Sequence, residues 1–118
     1  MEYLLLIYNN ESETAKLGQA QLGTMYQEFM TLTTSIQQSG NFKAGQQLQD
    51  VATATTVRVR DGKRTVTDGP FAETREQLGG FYWIQAKDLD EALAIAERIP
   101  SARWGSIEVR PIVTRNGA

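Results

Sequence analysis

Two short runs of the chain are apolar at every position, and they constrain the fold more than any other feature. Residues 3–8 read YLLLIY, and residues 81–84 read FYWI. A strand with one face in solvent alternates apolar and polar residues, whereas a strand covered on both faces does not. We therefore expect both runs to be central strands of a sheet that is covered on each side.

A helix is predicted over residues 22–39, between the first apolar run and the middle of the chain. Its apolar residues recur at three- and four-residue spacing, which is typical of an amphipathic helix packed along one stripe. Gly40 follows the last turn, where glycine commonly ends a helix. The predicted buried stripe consists of Leu22, Met25, Tyr26, Phe29, Leu32 and Ile36.

A second helix is predicted to begin after Asp88 and to end at Pro100. The Asp88 carboxylate can cap the first turn, and Glu91 three residues later can reach back to a preceding amide. Further strands are predicted at 42–48 and 106–112, on either side of the elements already described.

A β-hairpin is predicted at residues 53–67, where threonine and valine dominate. Asp61 and Gly62 stand at its centre, and Asp-Gly is a preferred pair for a two-residue type I′ turn. This turn places Val57 opposite Val66, an apolar cross-strand pair that helps to fix the register.

The order of elements is strand, helix, strand, hairpin, strand, helix, strand. This order predicts an α+β fold, a ferredoxin-like β-α-β-β-α-β plan with an inserted β-hairpin. The 118 residues are expected to form a single domain, 1–118. In this plan the first and third core strands are central, and those strands are the two apolar runs.

Two helices cover only one face of such a sheet. The other face would expose alternate apolar residues of both central strands, and large exposed apolar patches are rare on soluble monomers. We expect a second copy of the chain to cover this open sheet face in a two-fold homodimer. The alternative is that the inserted hairpin folds over it.

Composition excludes several classes of function. The formal net charge is −2, from 12 basic and 14 acidic residues, which argues against binding to nucleic acid or to an anionic membrane. The chain has no cysteine and no histidine, so thiolate chemistry and histidine-based catalysis are excluded, and no cofactor or metal is expected. No apolar run approaches membrane-spanning length and the start resembles no signal peptide, so a cytoplasmic location is expected.

Charge is unevenly distributed along the chain. Residues 57–67 hold four basic residues and one acidic residue, whereas the rest holds 8 basic and 13 acidic residues, a net charge of −5. A basic hairpin is typical of a solvated edge that resists strand pairing, and the alternative is contact with an acidic partner. No aromatic residues are interleaved, so a nucleic-acid reader is not indicated.

Residues 68–84 read DGPFAETREQLGGFYWI, which closely resembles the signature of DGPF-domain proteins within the YCII-related family. The resemblance extends to MEYLLLIY, ATATTVRVRDGK, AKDLDEALAIAERIP and SIEVRP. It implies a dimeric α+β barrel of ferredoxin-like protomers with a cleft beside the sheet. Many members pair a histidine with an aspartate and have been proposed to be enzymes. This sequence has no histidine, and Glu28 aligns near the histidine position, so the histidine–aspartate pair is absent here.

Three carboxylates are candidate catalytic residues: Asp68, Glu73 and Glu28. Paired carboxylates in different environments can divide into a general acid and a general base. The structural alternatives are that Asp68 caps its turn, that Glu73 joins an ion-pair network, and that Glu28 is an exposed helix residue. The candidate ligand-binding residues are Arg75, Phe71, Tyr8 and Tyr82, with core or interface packing as the alternative for the aromatic ones.

These observations favour a dimer that binds an unidentified small molecule in a cleft near the DGPF segment, with carboxylate acid–base catalysis as one possibility. Such a site predicts a pocket holding at least two of the three carboxylates, one of them with a strongly shifted pKa. The alternative is a non-catalytic regulatory or interaction protein, since DGPF proteins resemble products encoded beside extracytoplasmic-function sigma factors. A third reading is a dimerisation module without a ligand.

Overall fold

A computed structural model of the protein describes residues 1–115. The strands are β1 (Glu2–Asn9), β2 (Phe42–Gln47), β3 (Thr55–Arg60), β4 (Lys63–Asp68), β5 (Gln77–Gln85) and β6 (Ser106–Pro111). The α-helices are α1 (Glu11–Thr14), α2 (Gln19–Gln38) and α3 (Leu89–Ala96). Two short 3-10 helices cover Val51–Thr53 and Pro100–Arg103.

Four strands form one antiparallel sheet in the order β2-β5-β1-β6. The chain is therefore an α+β protein whose sheet order is compatible with a ferredoxin-like fold. In the register, Leu5 of β1 lies between Tyr82 of β5 and Val109 of β6. The two apolar runs are the two central strands, as the sequence predicts.

The hydrophobic core lies between the helices and one face of this sheet. Alternate residues of the central strands are buried there because successive side chains of a strand point to opposite faces. Burying one large aliphatic side chain contributes roughly 1.5–3 kcal/mol. The buried apolar residues are Tyr3, Leu5, Ile7, Leu32, Ile36, Tyr82, Ile84, Ala86, Ala92, Ile95, Ala96 and Ile99.

The opposite face of the sheet, the open sheet face, carries the other set of alternate residues. Leu4 lies beside Trp83 and Leu6 beside Phe81 in the β1–β5 register. All four side chains are only half-buried, although they are as apolar as those of the core. The two-sided apolar pattern therefore leaves one face covered by helices and one face without a cover in the single chain.

Polar contacts border one end of the open sheet face. The indole Nε1 of Trp83 donates a hydrogen bond of 2.6 Å to Oε1 of Glu2. The ammonium group of Lys43 lies 3.7 Å from the same carboxylate and 5.4 Å from the centre of the Trp83 ring. An apolar centre with a polar border is the usual composition of a protein–protein interface.

The hairpin β3–β4 has the predicted register, with Val57 opposite Val66. Asp61 and Gly62 have φ angles of 52° and 73°, as a type I′ turn requires. The hairpin does not cover the open sheet face, because every residue of its two strands except Thr56 is exposed. The alternative in which it folds over its own sheet is therefore wrong.

We call residues 55–68 the arm, because they extend away from the body of the chain. The radius of gyration is 16.4 Å, whereas a compact chain of this length has a value of about 13.5 Å. Val57, Val59 and Val66 are 59%, 62% and 51% exposed on one face of the arm. The arm thus presents an apolar surface to solvent.

Helix α2 departs from its predicted packing in the N-terminal half. Leu32 and Ile36 are buried against the sheet, but Leu22 and Tyr26 are 38% and 61% exposed. The predicted stripe is therefore wrong as a single buried surface. Only its C-terminal part reaches the core, and its N-terminal part borders a cavity.

The start of α3 has the predicted cap. The Asp88 carboxylate accepts a hydrogen bond of 2.9 Å from the backbone amide of Glu91. The Glu91 carboxylate reaches back to the amide of Lys87 at 3.2 Å and also accepts from Nδ2 of Asn41 at 3.1 Å. These contacts connect the start of α3 to Asn41, the residue that precedes β2.

Candidate functional site

A cavity of about 630 Å³, the helix–sheet cavity, lies between the N-terminal half of α2 and one end of the sheet. This volume falls within the roughly 300–1,000 Å³ range of small-molecule sites. Its α2 wall consists of Leu22, Met25, Tyr26, Phe29 and Thr33. Apolar residues predicted to pack in the core therefore line a space large enough for a ligand.

Glycines form the sheet side of the cavity and create part of its volume. Gly45 of β2 and Gly79 and Gly80 of β5 all line it. A Cβ on Gly80 would lie 2.7 Å from the backbone oxygen of Gln46, and one on Gly45 would lie 3.0 Å from the Tyr82 ring. Close strand and ring contacts therefore require glycine at these two positions, and no side chains fill the space above them.

Tyr82 supplies a hydroxyl group to the cavity wall. Its oxygen lies 2.8 Å from Oγ1 of Thr33, and the Thr33 hydroxyl lies 2.9 Å from the backbone oxygen of Phe29. When the Thr33 hydroxyl donates its one proton to Phe29, Tyr82 is the donor to Thr33. Burial raises the pKa of Tyr82 and outweighs the hydrogen bond between Tyr82 and Thr33, which lowers it. Tyr82 is therefore a neutral phenol whose oxygen keeps its capacity to accept.

Ser101 is the least satisfied polar group of the cavity wall. The residue is 2% exposed, and within residues 1–115 its hydroxyl has no hydrogen-bond partner. It lies in the 3-10 helix Pro100–Arg103, which packs beside β1, β6 and α2. A buried hydroxyl without a partner costs about 1–3 kcal/mol, and native proteins keep few of them. The oxygen has no exposed surface, so a bound ligand would remove that cost by drawing the hydroxyl round toward the cavity.

Two carboxylates, Glu11 and Asp50, lie among the residues that line the cavity. The Glu11 carboxylate accepts a hydrogen bond of 3.0 Å from the backbone amide of Val51, and its own amide donates to Oε1 of Gln77 at 2.9 Å. In the part of the chain that the structure describes, neither carboxylate forms a salt bridge. The cavity therefore has an acidic border.

A second cavity, of about 660 Å³, lies on the other side of α1 and contains Glu28. The Glu28 carboxylate forms a bidentate ion pair with the Arg103 guanidinium, with N–O distances of 2.8 Å and 2.9 Å. The Arg103 guanidinium lies 5.2 Å from the centre of the Trp104 ring. The hydrogen bond from Arg103 lowers the pKa of Glu28 against a smaller opposing effect of desolvation. Glu28 is therefore held as a carboxylate, which does not suit a general acid.

Replacing Glu28 with glutamine is expected to remove a pH-dependent part of the stability. Because the folded-state pKa of Glu28 is lowered, its stabilising contribution is present above the unfolded-state pKa and is lost as the pH falls through the folded-state value. Thermal unfolding between about pH 7 and about pH 3 measures this. Wild type should have the higher melting temperature at neutral pH, and the difference between wild type and the variant should disappear in acid. A difference in melting temperature that does not change with pH would contradict a stabilising ion pair between Glu28 and Arg103.

The structure places the predicted residues of the DGPF segment in solvent. Asp68, Phe71, Glu73 and Arg75 are exposed and line neither cavity. Phe71 is 76% exposed, so the alternative of a core anchor is wrong for the single chain. The part played by this segment in a ligand site stays a prediction, and it needs a second chain to build a pocket around these residues.

The other predicted site residues are separated from one another. Tyr82 lines the helix–sheet cavity, Glu28 lines the second cavity, and Tyr8 is half-buried on β1 and lines neither. A single chain therefore does not gather Glu28, Asp68 and Glu73 in one of these pockets. Among the described residues, no group of three or more Asp or Glu residues is placed to hold a metal ion.

Comparison with known proteins identifies one family and one relative. The family model described as YCII-related domain matches residues 1–116. A protein of Rhizobium meliloti (strain 1021), named as uncharacterized protein R00369, is 37% identical over 114 residues, which cover 95% of this chain and 92% of that protein. No helix within residues 1–115 is both long enough and apolar enough to cross a membrane.

Proposed function

The chain belongs to the YCII-related family, and we propose that it is a homodimer that binds a small molecule in the helix–sheet cavity. The observation that carries the binding proposal is the hydroxyl of Ser101, which is buried in the cavity wall without a partner. Small-molecule sites are mostly apolar and contain a few converging polar groups. Ser101, Tyr82 and Thr33 are such groups.

The lining indicates the chemical character of the ligand. Met25, Phe29 and the glycine-lined sheet offer contact to an apolar body, and Ser101 and Tyr82 offer hydrogen bonds to polar groups of the ligand. The acidic border of Glu11 and Asp50 disfavours a carboxylate or phosphate at the mouth. We infer an uncharged or cationic ligand with an apolar portion. Acid–base catalysis by Asp68, Glu73 or Glu28 remains a subordinate proposal that needs a second chain.

Ser101→Ala should weaken ligand binding at least about tenfold while leaving the protein as stable as wild type or slightly more stable. The two effects have opposite directions because the hydroxyl lowers the stability of the ligand-free protein, where it has no partner, and forms a hydrogen bond when the ligand is bound. Ligand-observed NMR against a library of small neutral and cationic metabolites identifies the ligand. Thermal unfolding measures stability in its absence.

The matched control is Ser106→Ala, which removes a hydroxyl from an exposed serine at the start of β6. This variant should bind as wild type does. If Ser101→Ala instead lowers the melting temperature and binds ligand normally, the hydroxyl has only a structural role and the proposed site is wrong.

The dimer proposal is supported by the composition of the open sheet face. Leu4, Leu6, Phe81 and Trp83 form an apolar patch, and the single chain offers no cover for it. Glu2 and Lys43 border the patch with charge. Packing the same face of a second copy against it would bury all four side chains twice, as a two-fold interface does.

A non-catalytic interaction protein is the second candidate, and the exposed arm favours it. An apolar and basic hairpin in solvent is suited to a macromolecular contact. A sigma-factor-related partner stays a prediction of the family resemblance. If the metabolite library yields no ligand for wild type, this second function becomes the preferred one.

A further inference from the structure

We propose that the arm of each chain docks on the helix–sheet cavity of a second copy of this chain and closes the mouth of that cavity. The inference deepens the proposed function and rests on it, because it makes the ligand site incomplete in a single chain. A two-stranded hairpin alone is marginally stable in water, so an arm with both faces exposed needs a surface to pack on. The question is which surface it fits.

The arm has one apolar face that also carries a positive charge. Val57 and Val59 share a face with their cross-strand partners Val66 and Arg64. All three valines are exposed, and Phe71, just beyond the base of the arm, is exposed as well. A partner surface must therefore offer apolar contact and at least one carboxylate.

The border of the helix–sheet cavity has this complementary composition. Leu22 and Tyr26 of α2 are exposed apolar residues at its edge, with Leu48 beyond the end of β2. Glu11 and Asp50 supply carboxylates that form no salt bridge within residues 1–115. Apolar residues and opposite charges are thus available on both surfaces.

The arm does not use the cavity of its own chain. It leaves the sheet after β2 and returns at β5, beside the cavity end of the sheet, yet its side chains remain exposed there. Charge then favours a second copy as the occupant. Residues 57–67 have four basic residues against one acidic residue, and the rest of the chain has a net charge of −5 from 8 basic and 13 acidic residues. Reciprocal docking of two arms on two cavities is a closed two-fold arrangement.

Cross-linking through engineered cysteines tests the docking directly, because the chain has no cysteine of its own. The double variant Val59→Cys/Tyr26→Cys joins an arm position to a cavity-border position, and both native residues are exposed. At micromolar concentration, a short bismaleimide should convert most of the chains into covalent dimers. The two single variants, treated in the same way, should remain mostly uncross-linked.

Three results would overturn the proposal. A cross-link within one chain would show that the arm closes its own cavity, and a covalent dimer of Val59→Cys alone would show that two arms pair with each other. No cross-link would show that the arm is free. The pair Val57→Cys/Leu22→Cys repeats the test at neighbouring positions, so that poor folding of one variant does not decide the outcome.

Ligand binding separates the failure of this inference from the failure of the proposed function. Cross-linking does not require a ligand, so a covalent dimer obtained from a protein that binds no metabolite would support arm docking and contradict the ligand site. If the protein binds a metabolite but forms no cross-link, the result would support the ligand site and contradict docking of the arm on it. Replacing the three arm valines with threonine, which keeps the β-branched shape, should weaken metabolite binding at least about tenfold if the arm completes the site.

Discussion

Leu6→Glu should dissociate the dimer, weakening self-association by on the order of 100-fold, or about 2.7 kcal/mol. Leu6 lies on the open sheet face between Phe81 and Glu108 in the register of the neighbouring strands. A glutamate there would face the like charge of Glu108 and would place a carboxylate within the apolar patch of the proposed interface. Two-fold symmetry places the same carboxylate on both copies, so the penalty occurs twice.

Leu93→Glu is the matched control for this prediction. Leu93 is an exposed leucine of α3, and α3 packs on the other side of the sheet. The same substitution there should leave self-association unchanged. Sedimentation equilibrium measures the dissociation constants, and circular dichroism verifies that both variants are folded. A dimer of unchanged strength for Leu6→Glu would show that the open sheet face is not the interface.

Gly105→Ala should lower the free energy of unfolding by about 3 kcal/mol, because a new methyl group would enter a space occupied by backbone. A Cβ at this position would lie 2.2 Å from the backbone oxygen of Tyr8 and 3.2 Å from that of Ser101. The end of β1 and the 3-10 helix that contains Ser101 would have to separate. At roughly 4 °C per kcal/mol, the melting temperature should fall by about 12 °C.

Gly23→Ala is the opposite case in the same chain. Gly23 lies in α2, and nothing stands within 4 Å of the position of its Cβ. Alanine favours the helix over glycine by roughly 0.8–1 kcal/mol, so this variant should be more stable than wild type. Equal effects of the two alanines on urea unfolding would contradict the close approach at Gly105.

Much of the fold could be predicted because the decisive signals are local. Asp61-Gly62 specifies the turn that fixes the hairpin register, and Asp88 specifies the start of α3. The two apolar runs identify the central strands because a strand that is covered on both faces of its sheet has no polar alternation.

The helix–sheet cavity could not be predicted, because it depends on where α2 lies relative to the sheet. Leu22 and Tyr26 continue the same periodicity as Leu32 and Ile36, yet the first pair borders a cavity and the second is buried in the core. Spacing along a helix does not report its distance from a neighbouring element. The sequence signal for the cavity was Gly45 together with the pair Gly79-Gly80, since glycines on adjacent strands leave that part of the sheet surface without side chains.

The candidate site residues show the same limit. Ser101 is one serine among several, and only the packing of its 3-10 helix buries its hydroxyl. Asp68 and Glu73 belong to a specific motif, which is why the sequence predicts them as site residues, but both are exposed to solvent in the single chain. A sequence motif marks one segment of the chain. A pocket depends on contacts between distant segments and, in this proposal, between two chains.

An NMR titration of the ¹⁵N-labelled protein with a metabolite from the binding screen tests the location of the site most directly. We predict that the largest amide shifts fall on Gly45, Gly79 and Ser101, which surround the helix–sheet cavity. Shifts confined to the exposed segment from Asp68 to Arg75, with Ser101 unmoved, would contradict a site in that cavity.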